Sequence, residues 1–393
     1  MTSQSGKIGV ATATIIGMNA MIGSGIFSAP ATMASAVGPA GILAYIFVMG
    51  AVLFIALSLA RLAYLYPQSG SFYLYAKQWS GHVGGLIASG AYFIGLLIAM
   101  GLLTQMAGTY LHDIFPALNA YTWSYVILSA LVVLNIFGVA LSEVGQHILI
   151  VLTVFPLLAI TALCLSKAHI TNLTPFAPYG FLNVLKATRV VVFGFFGFEC
   201  ATSLFNIVKH PEKNVPKALT YSILIVGVIY TLFVGSIIAS TPMSLFNDAS
   251  VPLPRVLANL FPTNPWLIKI IHVSVLSAIV GTIHSMIWAS SNLLSILGHQ
   301  IHHKARLSHR TAVLIVGCGI LLSTITFKNI NLFFYCTALF IITALVMSII
   351  TLLTLRSEWK NGHNIIAVLG LATAVTIGFF AFEGLIEQLH HAF

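Results

Sequence analysis

The chain has 393 residues, 59% of them hydrophobic and only 6% charged, with a formal net charge of +9. Soluble domains carry about 25% charged residues, so the composition excludes a soluble globular protein and points to a multi-pass membrane protein embedded in a lipid bilayer. The lysines and arginines are scattered through short polar connections, as membrane loops require, which argues against a nucleic-acid partner.

Apolar runs predict eleven spans, at about 8–36, 42–65, 83–111, 122–141, 146–166, 182–207, 218–240, 266–297, 311–326, 330–355 and 364–389. Ala34-Ser35-Ala36 resembles a signal cleavage site, but the apolar run from Ile8 onward is far longer than a signal core, so it reads as a retained span. With the N-terminus cytoplasmic, eleven lysines and arginines fall inside, from Lys7 and Arg61 to Arg356 and Lys360, against five outside. That asymmetry predicts an N-in orientation in the cell (inner) membrane. Cys164, Cys200, Cys318 and Cys336 all lie in apolar runs without metal or redox spacing and read as small buried hydrophobes.

The first run contains Gly23-Ser24-Gly25 at its middle. Glycine weakens a helix, and backbone groups freed in lipid are costly unless protein or trapped water satisfies them. Such a break therefore marks a cavity, or glycines that admit a closely packed neighbour. The sixth run repeats the feature in Phe193-Gly194-Phe195-Phe196-Gly197-Phe198-Glu199. With five spans per half, runs one and six hold corresponding places in two halves of inverted topology. Paired breaks of this kind mark a transporter's midplane site. The expected organisation is a ten-helix core over 1–355, with halves 1–170 and 180–355, and one additional span in 356–393.

Family resemblance rests on these same stretches. Ile22-Gly23-Ser24-Gly25-Ile26-Phe27 resembles the first-helix signature of the amino acid–polyamine–organocation permeases, and Tyr66-Pro67-Gln68-Ser69-Gly70-Ser71-Phe72-Tyr73 resembles the loop that follows their second helix. Gly197-Phe198-Glu199, followed by Val208-Lys209-His210-Pro211-Glu212-Lys213-Asn214-Val215-Pro216, is similar to their sixth helix and the loop after it. The Gly-x-Glu and Asn-Val-Pro details look closest to the basic amino acid/polyamine antiporter branch. The resemblance implies an all-α membrane fold of the leucine-transporter type: a five-plus-five inverted repeat with broken helices 1 and 6. Relatives usually have twelve spans, against eleven here. Three departures concern the substrate: Ala20 stands where basic-substrate members often carry asparagine, with Asn19 one place earlier; Phe193 stands where a tryptophan gate is common; and Asn292 lies where an arginine or lysine is common.

An amino acid brings a carboxylate and an ammonium into a low dielectric, where both need partners. The half-helix starting at Gly23-Ser24-Gly25 offers N–H groups and a dipole that favour an anion, so the carboxylate is assigned to the Ser24 and Gly25 amides, with the Ser24 hydroxyl beside them. The ammonium is assigned to carbonyls near Met21, Phe193 and Phe196, with the Phe193 ring as a cap. Most of the 26 phenylalanines are lipid-facing or packing residues; Phe193 stands out through its place before the break. Glu199 is the acidic residue nearest the middle of any span and reads as a proton-coupling site, or as a protonated structural hydrogen bonder. Arg189, about 15 Å away along a continuous helix, is not an obvious partner for it. His284 in the eighth run suits a substrate-facing or proton role, and a structural hydrogen-bonded histidine equally.

The function expected is secondary active transport of an amino acid or amine by alternating access, driven by exchange or by protons. The alternative is exchange of basic amino acids for their decarboxylated amines. The serines of the eighth run make no strong case for sodium, and nothing calls for a cofactor. The histidines from His299 to His309 raise metal transport or sensing, but without cysteine or carboxylate partners they read as a solvated loop. No convergent catalytic set suggests an enzyme, no continuous polar lining suggests a channel, and the nucleotide-binding Gly-x-x-x-x-Gly-Lys-Ser/Thr pattern does not occur. A monomer or homodimer is the assembly expected.

Overall fold

A computed structural model describes residues 7–23, 25–68, 70–137, 143–205, 207–246, 253–264, 266–301, 307–327, 330–355, 357 and 362–390. The first run forms two short helices, α1 (Val10–Met21) and α2 (Gly25–Val37). With 12 and 13 residues they reach about 18–20 Å each, so neither alone covers the roughly 30 Å hydrocarbon core. The second span is α3 (Gly41–Leu65), and the third is the long α4 (Ser71–Ile114), which kinks at Gly81 (φ 70°, ψ −167°). Then come α5 (Ala120–Ile136) and α6 (Glu143–Leu165).

The sixth run begins as α7 (Phe181–Val191), tightens into a 3₁₀ turn over Val192–Phe195, and resumes as a 3₁₀ helix over Phe198–Leu204. The two arms meet at 43°. Helix α8 (Pro211–Ser240) is followed by the short α9 (Leu253–Leu260), which the apolar runs do not foretell, and by α10 (Trp266–Ile301). Helices α11 (His309–Thr326), α12 (Ile330–Thr354) and α13 (His363–His390) complete the chain.

Among the described residues, eight helices are long and apolar enough to cross a membrane, nine when the bent sixth pair counts as one span. The shorter apolar helices Val10–Met21 and Ala120–Ile136 bring the number to eleven. The chain is thus an all-α, multi-pass membrane protein whose first and sixth spans are broken. All four cysteines are free; Cys164 and Cys200 are buried, whereas Cys318 is exposed.

The broken spans sit inside. Helix α1 packs on α8, α6, α10 and the Phe198–Leu204 arm, while α4 packs on α12, α5, α10 and α11. The chain just before α1 and just after the Phe198–Leu204 arm are also joined by backbone: Ile8 N–H donates to the Ile207 carbonyl at 2.8 Å, and Lys209 N–H donates to the Ile8 carbonyl at 2.9 Å. Buried hydroxyls tie the helices together. Ser222 on α8 donates to the Ala218 and Thr14 carbonyls, at 2.6 and 3.1 Å.

That contact requires a glycine on α1. A Cβ at Gly17 would fall 2.5 Å from Ser222 Oγ, so a side chain there must wedge α1 away from α8. Gly17→Val is expected to cost about 1–3 kcal/mol through overpacking, read as a lower melting temperature of the detergent-purified protein. Gly50→Ala, at a site with nothing within 4 Å of the added carbon, is expected to leave the melt unchanged.

Candidate functional site

A membrane-embedded helix break survives only where other groups take up its backbone. At the first break, Ile22 N–H still reaches the Met18 carbonyl at 2.8 Å, and Gly23 N–H turns back to the Met21 carbonyl at 2.9 Å. The Asn19, Met21 and Ile22 carbonyls are met by side chains. Thr282 Oγ1 on α10 lies 2.8 Å from the Asn19 carbonyl, 3.2 Å from that of Ile22 and 2.9 Å from that of Ala278. The Tyr230 hydroxyl on α8 donates to the Met21 carbonyl at 3.1 Å. One donor on each of two neighbouring helices thus pins the C-terminal end of α1.

At the sixth break, Phe196 is extended and Gly197 adopts φ 117°, a region that a side chain strongly disfavours. A Cβ at Gly197 would also lie 2.3 Å from the Ala20 carbonyl oxygen, so the two breaks are pressed back to back. Glu199 is fully buried, and its Oε2 accepts the Gly197 N–H at 2.9 Å. Its Oε1 has no hydrogen-bond partner among the described residues. Next to Glu199 in sequence, Cys200 meets the Tyr92 hydroxyl on α4, with Sγ 3.4 Å away.

Two cavities flank these breaks. The smaller, about 70 Å³, is bounded by Met21 and Gly23 at the end of α1, by Leu102 and Met106 on α4, and by Met286 and Thr337 on α10 and α12. The larger, about 300 Å³, reaches out to Tyr335 on α12 and to Ile377 and Ala381 on α13. Both are lined by Gly25, Phe193, Phe196 and Phe334. Phe193 stacks edge-on against Phe334 at 4.2 Å between ring centroids and against Phe196 at 6.2 Å, which makes an aromatic partition between the chambers. A Cβ at Gly25 would meet nothing within 4 Å, so the first turn of α2 opens onto this space.

The structure therefore gathers Met21, Gly23, Gly25, Phe193 and Phe196 around one cavity. Ser24 lies outside the described residues, as do His302, His303, the Arg189 side chain and His391. Asn19 and His284 are placed elsewhere. The Asn19 amide donates to the Gln146 side chain at 2.7 Å and to its backbone carbonyl at 3.1 Å. His284 Nδ1 lies 3.0 Å from the Asn135 amide nitrogen on α5, whose backbone carbonyl is 3.1 Å from His309 Nε2. Neither lines the smaller cavity. The sequence reading did not single out Tyr230, Thr282 or Thr337; a hydroxyl inside an apolar span was their sole signal.

These features place a cavity between two broken spans of an all-helical membrane bundle. The amino acid permease family model matches residues 8–382, and the chain belongs to that family. It is 25% identical over 315 residues to a branched-chain amino acid permease of Bacillus subtilis, covering 73% of this chain and 66% of the relative. It is 24% identical over 296 residues to the L-asparagine permease of Escherichia coli, covering 71% of this chain and 59% of that one. The chain thus spans about two thirds or less of the length of these curated relatives. Among solved structures it shares its fold with a Na⁺-coupled sialic acid symporter in a substrate-bound outward-open state, with a TM-score of 0.68, 11% identity and coverage of 95% of this chain and 89% of that one.

Thr282 generates a direct test. Thr282→Val strands the Asn19 and Ile22 carbonyls and is expected to destabilise the protein by about 1–3 kcal/mol. Thr282→Ser keeps the donor and is expected to retain most of the melting temperature, measured on both variants side by side.

Proposed function

We propose that the protein is a secondary active amino acid transporter working by alternating access, coupled to exchange or to protons. The observation that carries this reading is the cavity where two broken spans meet, lined by apolar and hydroxyl-bearing residues and by no charged side chain among those described. The carboxylate would sit at the start of α2, where Gly25 faces open space and the helix dipole favours an anion. The ammonium would face the carbonyls of the breaks. The Met21 carbonyl already accepts from Gly23 and Tyr230 and the Phe193 carbonyl from Phe196, so their remaining capacity is limited and Phe193 contributes chiefly its ring face.

The lining supports a neutral rather than a basic substrate. None of the described residues lining either cavity is acidic, so the second ammonium of lysine, or the guanidinium of arginine, would enter unmatched. Glu199 is spent on Gly197, on the far side of the break.

That bond gives Glu199 its role in this proposal. As a carboxylate it accepts the Gly197 N–H and holds the sixth break against Ala20, with the Tyr92 hydroxyl also within reach; a proton on Glu199 weakens that acceptor and loosens the contact between the two broken spans. Proton occupancy would then bias the same joint that the substrate closes. The membrane orientation in this reading keeps the N-terminus cytoplasmic.

Purified protein in liposomes separates the modes. Uptake of labelled neutral amino acids that requires counter-substrate inside identifies exchange, whereas uptake that follows an imposed pH gradient identifies proton symport; no transport of any amino acid under either condition refutes the proposal. Glu199→Gln keeps an oxygen for the Gly197 N–H but cannot exchange a proton. It is expected to preserve substrate binding while flattening the pH dependence of uptake, and an unchanged pH profile rejects the role given to Glu199.

A further inference from the structure

Thr337 departs from Thr343 and Ser348 on its own helix. A serine or threonine inside a membrane helix ordinarily donates back to a carbonyl one turn earlier. On α12 itself, Thr343 does so to Leu339 and Ser348 to Ala344, both at 2.8 Å. Thr337 is fully buried, yet its Oγ1 has no hydrogen-bond partner among the described residues. It lines the smaller cavity together with Phe334 and Ile341, three and four residues away on the same helix face.

The wall around it is otherwise apolar or already engaged. Three described residues of this lining carry hydroxyls: Thr282, Tyr230 and Thr337. Thr282 is committed to the carbonyls of Asn19, Ile22 and Ala278, and Tyr230 to that of Met21. The other side chains lining the cavity include Leu102, Met106 and Met286. A water resting there would need two to four polar partners, which thioethers and leucines do not supply. An orphaned buried hydroxyl is costly to keep, and a ligand can supply the missing partner.

We infer that Thr337 reads the substrate's side chain, and that the preferred substrate is a small neutral amino acid bearing a hydroxyl. This rests on the amino acid transport reading above and narrows it. With the carboxylate and ammonium held at the breaks, the side chain extends between α4 and α12. Neighbouring side chains seal Thr337 Oγ1 from the cavity, so the flexible methionines of the wall shift to let the substrate hydroxyl bond to it. The small size of the cavity, about 70 Å³, favours a short side chain over a long one. The rest of its surface would lie against the leucine and methionine side chains.

The test compares isosteres. Binding of L-threonine and L-valine, which differ by hydroxyl against methyl, is measured by ligand-induced thermal shift on the purified full chain, with L-serine and L-alanine as a second pair. Wild type is expected to favour threonine over valine and serine over alanine by roughly two- to tenfold, the usual net worth of one neutral hydrogen bond. Thr337→Val is expected to erase or reverse both preferences without weakening valine, and Thr337→Ser to restore them. Because Thr337→Val removes an unpartnered hydroxyl, the unliganded variant is expected to melt no lower than wild type. The inference is overturned if wild type shows no hydroxyl preference, if Thr337→Val weakens all four ligands alike, or if the unliganded variant melts lower, which would mean an internal partner for the hydroxyl. Absence of binding by any amino acid, in a panel extended to larger neutral and charged ones, refutes the transport reading itself; binding without the hydroxyl contrast refutes only the inference about Thr337.

Discussion

The structure depends on how the ends of two interrupted helices are satisfied inside the bundle. Each unpaired backbone group in hydrocarbon costs several kcal/mol, so two breaks at one depth would be ruinous without local donors and acceptors. Thr282 and Tyr230 supply donors to the first break, and Glu199 supplies an acceptor to the second. These three side chains come from α10, α8 and the sixth span itself. The middle of the bundle is therefore organised around hydrogen bonds to backbone, and the apolar packing of α3, α4 and α12 encloses them. The arrangement leaves space beside Gly25 without leaving the helix ends exposed.

The aromatic partition adds a second constraint. Phe193 precedes the sixth break, and its ring meets Phe196 across that break and Phe334 on α12. Any change in the bend of the sixth span must carry Phe193 with it, so the boundary between the two chambers is set by the same backbone that forms the site. Helix α13 closes the larger chamber through Ile377 and Ala381. The last described span is thus part of the vestibule wall as well as of the outer bundle.

Much of this was legible in the sequence, for identifiable reasons. Long apolar runs report the spans because lipid imposes length and composition directly. The Gly-Ser-Gly and Gly-Phe-Phe-Gly interruptions report the breaks because paired glycines recur at corresponding places of the two halves, whereas single midspan glycines such as Gly17 serve close packing. The partners of the breaks were not legible. Thr282 pins two foreign carbonyls, Thr343 merely folds back on its own helix, and Thr337 does neither, yet all three are threonines in apolar surroundings. Asn19 and His284 illustrate the converse. A polar residue near a break looks the same whether it faces a cavity or, as here, a neighbouring helix through Gln146 or Asn135. Helix α9 escaped because eight residues of mixed polarity leave no apolar run.

The short backbone bridge between Ile8 and Ile207–Lys209 has a kinematic consequence. It fastens the start of α1 to the exit of the Phe198–Leu204 arm, so the two inner arms form a closed loop with a flexible joint at each break. A closed linkage of this kind cannot flex at Gly23 while Gly197 stays still. Displacement of one inner arm is therefore passed to the other through this bridge.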